Sequence, residues 1–242
     1  MNSITKQLFR FPLLIWLALL PLISFETHSS RPVTIIFKHK MGDRELQLFN
    51  ETYTNPFGEP IIITRFKYYI SHLSIAGSDQ KETALSDKTF LIDESDPHSK
   101  TLVFTTPVTA PQSLSFVIGV DSVLNISGVQ TGSLDPLNGM FWTWNSGYIF
   151  ARLEGKSDSS HAPAHLVNWD AGGFRPPYNA SRKIKLDLLN TTSPVITIEA
   201  DLVKWFNATH AIHIAQSPLC HQPGRLAMQL ADNYSTMFSV AP

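Results

Sequence analysis

Histidine is the residue type in this sequence best able to do chemistry: there are nine, eight of them from His39 onward. Neutral imidazole is a common ligand for copper, zinc and nickel. His39 follows the apolar run Val33 to Lys38, and His72 lies among Tyr68, Tyr69, Ile70 and Leu73. His161 and His165 flank Pro163, which works against a pair on one helix face, so any joint role would come from loop geometry. His210 and His213 are followed by Cys220-His221. Each also has a structural reading. His72 is equally a hydrogen-bonded core residue, His98 after Pro97 a solvated loop residue, and His210 and His213 structural side chains. Cys220 reads as a small buried hydrophobe.

Catalytic anchors are missing. The sequence has no Gly-rich phosphate loop, no Gly-x-Ser-x-Gly elbow, no His-Glu-x-x-His and no Cys-x-x-Cys. A secreted hydrolase using Asp121, Asp135 or Glu154 as acid and base would need two carboxylates facing one cleft at ~5–9.5 Å, and nothing in their spacing demands that. A binder rather than an enzyme is the expectation. The most unusual stretch runs from Leu134 to Tyr148 and sets Phe141, Trp142, Trp144 and Tyr148 among turn residues. It reads as an aromatic plug closing one end of the fold, or as an aromatic wall against a ligand. Asp121 and Asp135 are either turn-forming residues or oxygen ligands.

The elements that must position these residues are short strands. Lys183 to Leu188 alternates strictly, and Leu114, Phe116 and Ile118 share one face, the pattern of half-buried strands. Val33 to Lys38, Ile61 to Phe66, Tyr68 to Ile75, Thr101 to Thr105, Tyr148 to Leu153 and Val195 to Ala200 are similar. Pro, Gly, Asn and Asp clusters separate them, so the predicted fold is all-β: an antiparallel sandwich or barrel-like domain with a few short helices. One helix is expected over Gly224 to Phe238, where Leu226, Leu230 and Tyr234 recur every four residues. Another is expected over Asp201 to Phe206 with Asp201 capping it. Ala76 to Lys88, polar and aperiodic, reads as a surface loop.

Lys6 and Arg10 before the apolar run Phe11 to Ile23 have the order of a secretory leader, so residues 1–30 are read as signal peptide and 31–242 as one domain. The run is short for a bilayer span of ~20 residues, so no stable membrane insertion is expected after cleavage. The setting is then periplasmic, secreted or cell-surface. A single cysteine allows no internal disulfide. Nineteen Lys and Arg against twenty Asp and Glu give a net charge of −1, which makes a nucleic-acid partner unexpected.

Several stretches carry a family resemblance. They are Phe37-Lys38-His39-Lys40-Met41-Gly42 with Leu46, Phe66-Lys67-Tyr68-Tyr69-Ile70-Ser71, and Gly119-Val120-Asp121-Ser122. Next come Leu134-Asp135-Pro136 with Gly139 to Tyr148, Leu153-Glu154-Gly155, Gly172-Gly173-Phe174, and Ala231 to Tyr234 with Met237-Phe238. In these the chain resembles the MbnP-like copper-binding family of bacterial copper handling. The resemblance implies a secreted β-sandwich that binds one copper ion, Cu(I) or Cu(II), through imidazoles. In some relatives it also implies a tryptophan oxidised to kynurenine by a partner dihaem cytochrome peroxidase of MauG type.

On that basis His39, in the Phe-x-His motif, is the first expected metal ligand, with His72 and His165 next. Two departures stand out. Where relatives have a histidine before Gly-Gly-Phe this chain has Asp170, which would have to replace an imidazole, and a carboxylate is a poorer ligand for cuprous copper. Where relatives place the oxidised tryptophan two residues before a ligand histidine, this chain has Phe37. The function so implied is copper acquisition, storage or delivery, with an affinity that falls as protons compete for imidazole lone pairs. The alternative is a metal-free interaction module of the same fold.

Overall fold

The computed structural model describes residues 30–143, 145–188 and 193–241, so the expected signal peptide and Trp144 lie outside the described residues. Ten of the described strands and three helices frame the site. The strands are β1 (Arg31–Met41), β2 (Pro60–Ala76), β3 (Phe90–Asp93), β4 (Thr101–Thr106), β5 (Ser113–Ile118), β6 (Gly147–Lys156), β7 (Leu166–Gly172), β8 (Arg182–Asp187), β9 (Val195–Asp201) and β10 (Phe238–Val240). The helices are α1 (Ser122–Ile126), α2 (Val203–Phe206) and α3 (Arg225–Tyr234).

In β1 the period of two decides which side chains go inside: Val33, Ile35, Phe37, His39 and Met41 are all buried. β1 is flanked by β9 and β4, and β10 pairs with β9, giving a first sheet. The second is organised by β2, which pairs with β6 over Ile62–Tyr68 and with β5 over Ile70–Ala76; β7 then pairs with β6 and β8 with β5. The two sheets face each other through aromatic rings. Phe37 meets Tyr68 and Phe116 edge-on, both at 6.1 Å between centroids, and Phe238 meets Phe116 at 5.1 Å. The result is a β-sandwich with few helices.

Three expectations need correction. The sheets are mixed rather than antiparallel throughout, because β1 and β9 run parallel, as do β7 and Leu219–Cys220; side-chain alternation reports a strand's buried face but not its neighbour's direction. Ile61 to Phe66 and Tyr68 to Ile75 form one continuous strand, β2. The stretch Ala76 to Lys88 contains a strand, Glu82–Ser86, that pairs with the end of β2. Backbone hydrogen bonds, indifferent to polarity, hold it there.

The C-terminal helix is shorter than its pattern, because Phe238 to Val240 leave it to pair with β9. It seals the sandwich with Leu230, Ala231 and Tyr234, whose hydroxyl donates to the Ala180 carbonyl at 2.5 Å. The helix expected over Asp201 to Phe206 starts two residues later: Asp201 ends β9, Leu202 is the N-cap of α2, and Asp201 Oδ1 accepts from the N–H groups of Val203 and Gly42.

Candidate functional site

His39 sits between the sheets with its side chain fully enclosed. Its Nδ1 lies 2.5 Å from Glu94 Oε2, and its Nε2 3.0 Å from the Tyr68 hydroxyl. Lys100 Nζ donates to the same Glu94 oxygen at 2.9 Å. Burial lowers the His39 pKa against the pull of Glu94 and raises that of Tyr68. Burial also works to raise Glu94, but His39 and Lys100 outweigh it and hold the carboxyl below its usual range. One assignment satisfies every group: neutral His39 donates from Nδ1 to ionised Glu94 and accepts at Nε2 from Tyr68 O–H.

His72 has the opposite fate. By alternation with Phe66, Tyr68 and Ile70 it would point inward. Between Ser71↔Val117 and Ser74↔Ser115, however, β2 carries two residues against one on β5, a β-bulge. His72 takes up the extra length in the left-handed region, φ +51, which histidine enters more readily than most residues. The bulge turns its ring out, and Leu73 and Ile75 resume the buried face. The ejected ring meets Asp121, Nε2 to Oδ1 at 2.6 Å, with side-chain exposures of 57% and 45%. The pair opens onto a cavity of about 240 Å³ lined also by Ser122, Phe174, Asn179 and Ser181.

His165 is exposed on the β6–β7 turn, φ +55, with Nδ1 3.2 Å from the Ser160 carbonyl. The structure does not bring the three expected ligands together. Leu166 is level with Lys156 and Ile62 in the second sheet. His72 lies ten residues further along β2, about 33 Å at ~3.3 Å per residue. His39 lies at the level of Phe66 and Tyr68, roughly 13–20 Å from His72 by the same rise.

As a shared copper centre these residues do not fit. The one lone pair of His39 already accepts a hydrogen bond, and its neighbours are aromatic rings and a lysine-paired carboxylate. Among the described residues no group of three His, Cys, Asp or Glu side chains is arranged to hold a metal ion. Two imidazole–carboxylate pairs outside the core are in contact among the described residues: His72 with Asp121 at 2.6 Å, which opens onto a cavity, and His210 with Asp232 at 3.0 Å.

Asp170 cannot stand in for a missing imidazole beside His39. Its chain neighbour Trp169 stacks on Trp205 in the core, so Asp170 points from the other face of the second sheet. There both carboxylate oxygens are taken by Arg152, Nε to Oδ1 at 2.6 Å and Nη2 to Oδ2 at 2.8 Å. Lys67, Arg152 and Asp170 are cross-strand neighbours on β2, β6 and β7, and Lys67 pairs with Asp93 of β3. The turn-rich segment before the aromatic block lies over this ladder. Arg152 Nη1 donates to the Gly139 carbonyl at 2.6 Å, Tyr148 O–H to that of Leu134 and Tyr69 O–H to that of Ser133. The Trp142 ring borders Gly172, so the block covers the outer face of the second sheet.

The carboxylates considered for hydrolysis are engaged separately. Asp121 pairs with His72, Asp135 accepts from the Leu137 N–H at the start of a turn, and Glu154 pairs with Arg65 and Arg152. Sequence reasoning missed Glu94, Lys100, Tyr68 and Arg152. The inward parity of β1 was the available signal for a polar partner to His39. Nothing local identifies that partner.

Comparison with known proteins agrees with this architecture. No curated protein sequence matches. The structure resembles MbnP from Methylosinus trichosporium with a TM-score of 0.63 at 15% identity, covering 88% of this chain and 99% of that one. The model of the family described as MbnP matches residues 30–222, which span β1 to β9 and continue to the Cys220-His221 pair. The chain belongs to the MbnP family.

Proposed function

We propose that this is an exported copper-binding protein of MbnP type that acquires, stores or delivers copper, and that it binds rather than catalyses. The observation carrying this reading is the family match over residues 30–222. A periplasmic or secreted location follows from the leader-like N-terminus, and no described helix is long and apolar enough to cross a membrane. The reading includes a MauG-type dihaem partner. Of the described tryptophans, Trp169 and Trp205 are fully buried while Trp142 is only partly so. Trp142 is therefore the described residue such a partner would reach.

The test is metal analysis of the purified chain after incubation with copper and removal of the excess, followed by competition with a chelator. Copper retained in stoichiometric amount supports the reading; a chain that retains none overturns it. A metal-free interaction module is the second reading. It is favoured by one specific observation: the acceptor nitrogen of His39 and both oxygens of Asp170 are already satisfied within the protein.

A further inference from the structure

We infer that the cavity beside the Phe174–Asn179 hairpin is a binding site for a small aromatic carboxylate. The inference goes beyond the copper reading and does not rest on it, because no histidine, cysteine or carboxylate is among the described residues lining this cavity.

The walls are set by the backbone. Phe174–Arg175 pairs with Tyr178–Asn179 in a short hairpin that follows Gly173. Gly173 has φ +117, and a Cβ there would stand 2.5 Å from the Tyr178 carbonyl oxygen and 2.9 Å from the Pro223 side chain. Glycine is what lets the hairpin lie so close to Pro223. Gly147, φ +77, does the same for the Phe174 ring, which an added Cβ would meet at 3.0 Å. Phe174, Tyr178 and Pro223 thus stand in fixed places around a space of about 300 Å³ that also meets Asn145, Arg175 and Gln222. That volume lies at the lower end of the ~300–1,000 Å³ range of small-molecule sites, which suits a ligand of one ring.

The polar groups around this space are unspent. Arg31, Arg44, Arg65, Arg152 and Arg182 each donate to a carbonyl or carboxylate, whereas the Arg175 guanidinium meets no acceptor among the described residues. It lies over the Phe174 ring, 4.8 Å from the centroid, where cation–π attraction holds it and its N–H donors are left for a ligand. Tyr53, Tyr68, Tyr69, Tyr148 and Tyr234 all hydrogen-bond through their hydroxyls. The Tyr178 hydroxyl has no partner among the described residues, nor do the side-chain amides of Asn145 and Gln222. Phe174 also lines the neighbouring cavity, where the carboxylate, Asp121, is already engaged by His72.

One unpaired cation with no acid in the described lining selects an anion. The planar fork of arginine matches the two oxygens of a carboxylate. The Phe174 and Tyr178 rings with Pro176 and Pro223 select a flat apolar body attached to it, which inorganic anions and acetate lack.

The test is an NMR titration of the whole protein with benzoate at low ionic strength. Benzamide serves as the neutral ligand of the same shape and acetate as the anion without a ring. Benzoate should bind more tightly than either by about tenfold or more. Arg175→Gln, a change at an exposed side chain, should weaken benzoate by about tenfold and leave benzamide unchanged. Arg65→Gln, which alters an exposed arginine outside the cavity, should bind benzoate like wild type. Absence of benzoate binding, equal binding of benzoate and benzamide, acetate as tight as benzoate, or undiminished benzoate binding by Arg175→Gln would each overturn the inference. The ligand comparison on wild type needs no variant, and none of these results bears on the copper reading, which metal retention tests.

Discussion

Replacing Arg152 with methionine isolates the interaction that holds the outer face of the second sheet. Asp170 is 4% exposed at its side chain and Arg152 13%, so the pair is largely out of water. Removing one partner of such a pair costs about 3–5 kcal/mol, because the other charge is left buried. In a domain of this size each kcal/mol moves the melting temperature by about 2–4 °C, giving a fall of roughly 6–20 °C for Arg152→Met. Asp170→Asn should cost less. Arg152 would still have Glu154 Oε1 at 3.3 Å and the Gly139 carbonyl, whereas without Arg152 the nearest basic side chain left to Asp170 among the described residues is the exposed His221 imidazole, with Nδ1 at 3.9 Å, beyond hydrogen-bond distance. The double variant Arg152→Met with Asp170→Leu should recover most of the loss, since an apolar pair leaves no uncompensated charge. Thermal and denaturant unfolding of the four proteins completes the cycle. An Arg152→Met loss below about 1 kcal/mol, or a larger loss for Asp170→Asn, would refute the burial argument.

Other predictions concern the interior. Burial depresses the His39 pKa in the fold, so its contribution to stability is complete above the unfolded value of ~6.5 and is lost as pH falls below it. Denaturant midpoints between pH 7 and 5 should therefore decline less steeply for His39→Gln than for wild type; parallel slopes would contradict a neutral buried imidazole. Gly172→Ala would set a Cβ 2.6 Å from the Tyr148 carbonyl oxygen and 3.0 Å from the Trp142 ring. It should destabilise by about 1–3 kcal/mol, and an unchanged melting curve would show that the aromatic block yields. Cys220 is buried with its thiol pushed up to about 12 by burial. Native protein should react with a thiol reagent at mildly alkaline pH far more slowly than denatured protein, and equal rates would place the thiol at the surface.

The strands were legible wherever one face is buried and the other wet: β1, β5, β8 and β9 lie within a few residues of their sequence patterns. In the structure the alternation of β1 runs on past Lys38 and so puts His39 inside, a step beyond the strand read from the sequence. What the sequence withheld was set by register between distant segments. Glu94 and Lys100 reach His39 only once β3 and the turn after it fold against β1, and no spacing within either segment announces this. His72 reversed its parity because of a bulge, visible only in how β2 aligns with β5. Arg152 and Asp170 meet because the β6–β7 hairpin closes in one register, which moved Asp170 from a possible ligand to a salt-bridged residue. The family motifs identified the fold and its family, but the expected ligands are spread along β2, His165 level with one end of it, His39 against its middle and His72 near the other end.

The location of bound copper tests the account most directly. Anomalous diffraction recorded at the copper edge from crystals of the whole chain grown with copper should show an ordered peak away from both the enclosed His39 ring and the salt-bridged Asp170. A peak between the sheets at His39, a peak beside Asp170, or no ordered copper at all would contradict it.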